Sequence, residues 1–188
     1  MGSAACEALG ARHELIRAGR SSGDVQCDIT DADSIDAMYR QTGRVDAVVC
    51  ATGHAHFGPL AEMTAEQFML GLTDKVMGQV NVVLRGLDHV NDGGSFTLTS
   101  GVLDRDPIRQ GANASTANAA LAGFVSGASI EMPRGLRINV VSPGLLEVSA
   151  GKLGHLFPGH DPVSSRRVDL AFAKSVEGPP SGQVIRVD

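Results

Sequence analysis

The chain has 188 residues, with 16 Lys and Arg against 21 Asp and Glu, a formal net charge of -5, 43% hydrophobic and 20% charged residues. That length and balance predict one globular domain over residues 1–188 with its own core, and exclude a disordered chain. The basic residues are scattered, which argues against a nucleic-acid face or a polybasic membrane anchor. No apolar run approaches a membrane span, and the first residues do not resemble a signal peptide. Cys6, Cys27 and Cys50 are widely spaced, odd in number and form no CxxC pair; they read as small buried hydrophobes of a cytoplasmic protein.

The Ala-rich segment 3–11 suits a helix ending at Gly10. His13 to Ala18 reads as a strand stopped by Gly19, and Val25 to Cys27 as a second. Ser34 is the expected N-cap of a helix from Ile35 to Thr42, closed by Gly43. Ala47 to Ala51 is a nearly continuous apolar run, the mark of a strand covered on both faces. Thr64 and Gln67 make a capping box for a long helical stretch that breaks near Gly71 and runs to Val90. A strand over Ser95–Thr99 precedes a helix from Asn113 to Met132, ended by Pro133 and Gly135. Leu136 to Val141 reads as a strand stopped by Ser142-Pro143-Gly144. Pro162 to Val176 reads as a helix and Gln183 to Val187 as the last strand. Alternation of strands and helices argues for βαβ units and a parallel sheet with helices on both faces.

Several segments together resemble the short-chain dehydrogenase/reductase family, in that family's order. Ala51-Thr52-Gly53 stands where the family has Asn-Ala-Gly after its fourth strand. Lys75 occupies a catalytic Asn position, with Gly78 three residues on, and Ser100 matches the serine after the fifth strand. Leu136 to Gly144 resembles the sixth strand and its Pro-Gly turn, and Gly182 to Asp188 the closing strand. The resemblance implies a Rossmann-like doubly wound fold, a nicotinamide cofactor across the carboxyl ends of the strands, and a small carbonyl or alcohol substrate.

Two departures from the family pattern shape the expectation. The Tyr-x-x-x-Lys pair is replaced by Ala114 and Asn118, and the only tyrosine, Tyr39, lies in another element. The opening apolar strand and glycine-rich turn have no counterpart beyond Gly2, which matches the turn's last glycine. The family strand would lie between the second and fourth strands. Its absence from the sequence as written predicts either an empty slot, as in a fragment or a late-assigned start, or a sheet that closes up, together with weak dinucleotide binding.

Within this frame the resemblance implies a cofactor site at Gly2, Arg20, Ser21, Asp28, Ala51, Thr52, Gly53, Pro143 and Gly144. An arginine after the second strand, backed by Ser21 and Ser22, favours NADP(H) over NAD(H). Asp28 is placed against the adenine by the resemblance, and reads equally as a turn cap. Candidate catalytic residues are Ser100, Lys75, Asn118 and His54. His54 reads first as a loop histidine and otherwise as a proton donor in the substrate pocket, and His54-x-His56 has no third ligand of matching context to make a metal site. Lys75 reads as an electrophile or proton relay, or as a solvated helix charge. Asp104, Arg105 and Asp106, in the loop beyond Ser100, read as a solvated loop or as residues facing the substrate, and Glu147 as a surface residue. Val76, Val80, Val83, Leu84, Leu121 and Phe124 fit either a core or a homodimer or homotetramer interface, as the resemblance implies. Two functions follow: an NADP(H)-dependent oxidoreductase, or a non-catalytic dinucleotide- or partner-binding subunit.

Overall fold

Residues 2–188 are described by the computed structural model, and every strand pairing in it is parallel. A short pair, β1 (Ala18–Gly19) and β2 (Val25–Gln26), stands apart from a four-stranded sheet in the order β3 (Val45–Val49), β4 (Val90–Thr99), β5 (Arg137–Pro143), β6 (Val184–Val187). Helices cover both faces. On one lie α1 (Gly2–Leu9) and α7 (Ser165–Glu177); on the other lie α2 (Ala32–Thr42), α4 (Gly78–Gly86) and α5 (Ala112–Ala128). Two further short helices, α3 (Ala65–Leu70) and α6 (Glu147–Leu153), lie in the connections after β3 and β5.

The period of two in β4 and β5 separates the two cores. Phe96, Leu98, Ile138 and Val140 pack with Ile35 and Tyr39 of α2, Val83 of α4 and Leu121 and Val125 of α5. Val141 faces the other way, into Ala5 of α1 and Val168 and Phe172 of α7. Thr97 shares this second face, and its hydroxyl lies 2.6 Å from that of Ser175, so two polar groups buried in an apolar layer satisfy one another. Tyr39 is 1% exposed and its hydroxyl donates to the Val82 carbonyl at 2.7 Å; burial raises its pKa beyond the usual phenol range. It is a core residue and takes no part in the candidate site.

Several expectations are corrected. Asp31, not Ser34, caps α2: its side chain accepts from the Asp33 N–H, while the Ser34 hydroxyl accepts from the Asp28 N–H. The capping box of Thr64 and Gln67 is present in both directions. The break at Gly71 is a π-helical segment over Gly71–Met77, which then runs into α4. Of the six residues suited to an interface, Val80, Val83 and Leu121 are buried within the chain's own core, while Leu84 is exposed. Arg105 is no solvated loop residue. Its guanidinium donates to Asp104, to the Ser142 hydroxyl at 2.7 Å and to Asp188, tying the loop to the end of β5.

The sheet does not close up. The segment 14–17 expected as strand makes no ladder, and β1 pairs only with β2. A cleft of about 1350 Å³ separates β1 from β3. As a result β3 is only half-buried along its length, whereas the last five residues of β4 are all buried. The run that reads as covered on both faces is covered only where β4 and the helices reach it.

Gly86 allows α4 to lie against α2. A Cβ there would meet the Tyr39 hydroxyl at 2.2 Å and Phe96 at 2.9 Å. Gly86→Ala is expected to destabilise the chain by about 1–3 kcal/mol through overpacking. Part of that loss should be recovered in the double variant with Tyr39→Phe, which removes the nearest clashing atom; denaturant midpoints of the four proteins measure the coupling.

Candidate active site

Three strands and two helical segments deliver the candidate residues to one place, above the carboxyl ends of β3, β4 and β5. The chain leaves β3 through Ala51-Thr52-Gly53, where Gly53 has φ 117° and sits on Lys75; a Cβ at Gly53 would lie 2.7 Å from the Lys75 Cα. Glycine is required there both for the left-handed backbone and for the contact. The π-helical turn widens the helix at this contact, and Asp74 and Lys75 both lie within it. Gln79, fully buried one turn on, fixes the segment to β4: its amide donates to the Thr99 carbonyl and accepts from the Thr99 N–H, both at 2.9 Å. Ser100 follows directly, and its own N–H donates to Val141 of β5.

Lys75 Nζ donates to Asn118 Oδ1 at 2.7 Å and to the Ser100 carbonyl at 3.4 Å. Burial pulls the ammonium's pKa down to about 8, a shift that the Asp104 carboxylate partly opposes. The Ser100 hydroxyl is buried and has no hydrogen-bond partner among the described residues. A buried hydroxyl without a partner is costly unless a ligand satisfies it. A Cβ on Gly101 would lie 3.2 Å from the Asn118 amide and 3.7 Å from the Pro143 carbonyl, so the ends of β4, β5 and the middle of α5 meet here. Ala114 is buried with Val102 and Leu103, against Ala55, Ile108 and Phe157. The wall beside Ser100 is therefore apolar where the family pattern has a phenol.

His54 Nδ1 lies 3.2 Å from Asp74 Oδ2, and the His54 N–H donates to Asp74 Oδ1 at 3.0 Å. The imidazole is 70% exposed and the carboxylate 13%, so the carboxylate orients a ring that reaches into solvent. Asp74 has no sequence signal beyond standing next to Lys75; its role depends on the π-turn bringing it under the loop. Asn113 is a second such residue. Fully buried, it accepts from the His56 N–H at 2.8 Å and donates to the Phe68 carbonyl, which pins the loop after β3 to the start of α5.

The cofactor candidates are less tightly gathered. Gly2, Arg20, Ala51 and Thr52 line the large cleft, together with His54 and Asp74. Ser21 lies on a small neighbouring pocket with Ser22 and Gly23. Arg20 and Asp28 pair with one another as a fork, at 2.9 and 3.0 Å, and Thr30 further satisfies the carboxylate. The Thr30 N–H and hydroxyl, and after them the Arg20 guanidinium, hold the Asp28 carboxyl below its ordinary pKa. Gly144 N–H donates to the Val187 carbonyl, and Pro143 ends the β5 ladder opposite Val187.

The pattern of the enoyl-(acyl carrier protein) reductase family matches residues 5–166. The crystal structure of the protein lin1944 from Listeria innocua is 52% identical, with a TM-score of 0.98, over all of this chain and 94% of that one. A small-chain dehydrogenase in complex with NADPH has a TM-score of 0.84 at 23% identity, over all of this chain and 91% of that one, a likeness of fold. A hydroxynaphthalene reductase of Aspergillus fumigatus is 29% identical over 69% of this chain and 50% of its own length. The chain spans about half the length of the curated relatives it matches. With most of the chain matched by that pattern and the strand tips converging on one crevice, the chain belongs to the short-chain dehydrogenase/reductase family.

Proposed function

We propose that the chain is an NADP(H)-dependent oxidoreductase that interconverts a carbonyl and an alcohol on a small-molecule substrate. In this reading the 188 residues act as one domain, in the cytoplasm, as a homodimer or homotetramer. The observation that carries the reading is Lys75: a half-buried amine with a lowered pKa, held on Asn118 beside the unpartnered Ser100 hydroxyl. Amine and amide have exchanged places relative to the family pattern, and so the site keeps a proton donor although Ala114 supplies none.

The residues present fit a phosphorylated dinucleotide in part. The Arg20 guanidinium is 57% exposed, so donors remain for a 2′-phosphate alongside its pairing with Asp28, with Ser21 adjacent. Gly2, at the start of α1, would face the pyrophosphate. Thr52, Gly53, Pro143 and Gly144 would wall the nicotinamide end, and Asn118 would accept a ribose hydroxyl. NADP(H), when bound, supplies or accepts the hydride. The Ser100 hydroxyl would donate to the substrate oxygen and hold the carbonyl in place. In reduction, the Lys75 ammonium gives its proton to that oxygen and is left as an amine, recharged from water. In oxidation the amine takes the proton back. His54, oriented by Asp74, is the competing donor. The apolar wall of Val102, Leu103 and Ala114 favours a carbonyl flanked by an apolar group. Exposed Met77 and Leu84, one helical face of the π-turn and α4, support the homo-oligomer.

A second reading, a non-catalytic dinucleotide- or partner-binding subunit, is favoured by Ala114, which leaves no ionisable group at the phenol's place. The two readings separate by assay. NADPH oxidation with a panel of carbonyls, followed by absorbance, should show turnover. Lys75→Met should cut that rate by about 10²–10⁴-fold while leaving NADPH affinity unchanged. An unchanged rate in Lys75→Met would move the proton to His54 or water, and no turnover with any carbonyl would leave the non-catalytic reading.

The pH dependence carries a sign. Reduction needs the protonated amine, so its rate should fall above about pH 8. Stability should move the other way. Between about pH 8 and 10.5 the unfolded chain holds a proton that the folded chain has released, so this group's contribution to stability rises with pH. Lys75→Met should remove both trends.

For the cofactor, Arg20→Ala should weaken NADPH binding by about tenfold or more and leave NADH nearly unchanged, as loss of a charge-assisted phosphate contact implies. Calorimetric titration with both nucleotides reads the difference; equal loss for both would make Arg20 a structural partner of Asp28 only.

A further inference from the structure

The carboxylate that favours the Lys75 ammonium is not free. Asp104 closes the 3-10 turn Val102–Asp104, just beyond Ser100, whose carbonyl accepts from the amine. Asp104 Oδ1 accepts from Arg105 Nη1 at 3.0 Å. The two side chains are 13% and 19% exposed, so solvent screens the pair little. Arg105 is fixed from the other side as well. Its Nη1 donates to the fully buried Ser142 hydroxyl at 2.7 Å, and its Nη2 to the Ser142 carbonyl at 3.2 Å and to Asp188. The end of β5 therefore holds the guanidinium, and the guanidinium holds the carboxylate.

The other charges around the amine are engaged elsewhere. Asp74, next to Lys75 in the π-turn, faces the His54 N–H and ring. α5, which carries Asn118, has no ionisable side chain between Ala112 and Ala128. In β4 and β5 the charged residues, Asp92 and Arg137, stand toward the amino-terminal ends, away from the tips. Asp106 turns to His160, at 3.5 Å. Lys75 Nζ itself rests on an amide and a peptide carbonyl, neither of them charged. The amine thus answers to one carboxylate, and that carboxylate is shared with a guanidinium.

We propose that Arg105 is a positioning residue for Lys75: anchored on Ser142, it keeps the Asp104 carboxylate shared and so sets how firmly the amine holds its proton. The inference deepens the reading of Lys75 as proton donor and rests on it. Its direction is fixed by charge. With Arg105 in place, Asp104 offsets only part of the cost of burying the ammonium. Without the guanidinium, the whole carboxylate would face the amine, and Lys75 would stay charged to higher pH. Without the carboxylate, the amine would lose its proton nearer neutrality. Arg105 acts here through Asp104 and touches no reacting atom.

The test reads Lys75 directly. The chain's lysines are Lys75, Lys152 and Lys174, so isotopic labelling of lysine gives a side-chain NMR spectrum simple enough to titrate, and the signal lost in Lys75→Met is that of Lys75. Its midpoint in the unaltered chain is expected at about pH 8. Arg105→Gln should raise the midpoint by about one pH unit or more, and Asp104→Asn should lower it by about as much. Arg105→Lys keeps the charge and should stay near the starting value. The double variant of Asp104→Asn with Arg105→Gln should match Asp104→Asn alone, because the guanidinium acts through the carboxylate. Should Arg105→Gln fail to fold, Arg105→Met, which keeps the packing of the stem, takes its place. No movement in either single variant, movement of both in the same direction, or an equal effect of Arg105→Gln with and without Asp104 would overturn the proposal. The pH profile of NADPH-dependent reduction should follow the midpoints from variant to variant. Midpoints that move as expected under a rate profile that does not would leave the pair standing and remove Lys75 as the donor.

Discussion

β4 is the member on which the rest of the molecule is built. It is ten residues long, pairs on both edges, and contributes Phe96 and Leu98 to one core and Thr97 to the other. A strand paired on both sides and covered on both faces has no freedom to shift register, because a slip of one residue would exchange its apolar and polar faces. What β4 delivers at its end is therefore delivered in a fixed place. Gln79 reads the backbone of Thr99 with both halves of its amide, and that pair fixes the π-turn in turn. Ser100, Lys75 and Asn118 meet because of this chain of restraints, not because any of them attracts the others strongly.

The site's electrostatics follow from that enclosure. A lysine in water has no reason to give up its proton near neutrality. Here desolvation opposes the ammonium, and the acceptors at hand are an amide and a peptide carbonyl, which satisfy N–H donors without supplying a full counter-charge. Asp104 supplies only a partial correction. Had a carboxylate stood at position 118, the amine would be pinned in its charged form. An asparagine there accepts from the amine in either protonation state, so the contact does not fix the charge.

Much of the architecture was legible in the sequence. The parallel order, the helix at Asn113 and the capping box at Thr64 rest on local signals, periodicity and a reciprocal side-chain cap, and these survive any tertiary context. The errors are of the kind that local signals cannot prevent. Ser34 and Asp31 are both good caps, and the choice between them fell to Asp28, whose N–H claims the Ser34 hydroxyl. Arg105 reads as solvated because its partners, Ser142 and Asp188, are distant in sequence. In the site, Ser100, Lys75, Asn118 and Gly53 were visible through the resemblance. Asp74, Gln79 and Asn113 were not, since each acts through a contact across 20 to 57 positions.

The half-buried β3 links the two ends of the argument. Its carboxyl end carries the loop that reaches Lys75 through Gly53 and Asp74 through His54, yet the strand beneath that loop is braced by β4 alone. A strand braced on one edge opens more readily than one braced on two, because fewer ladder bonds must break together. The loop's position is thus held chiefly from above, by the close backbone contact at Gly53 and the carboxylate of Asp74, rather than from below. Anything that braced the other edge of β3 would stiffen the floor of the crevice without touching Lys75, Ser100 or Asn118. In this chain the order of the site and the completeness of the sheet are therefore one physical question, posed at the same five residues from opposite ends.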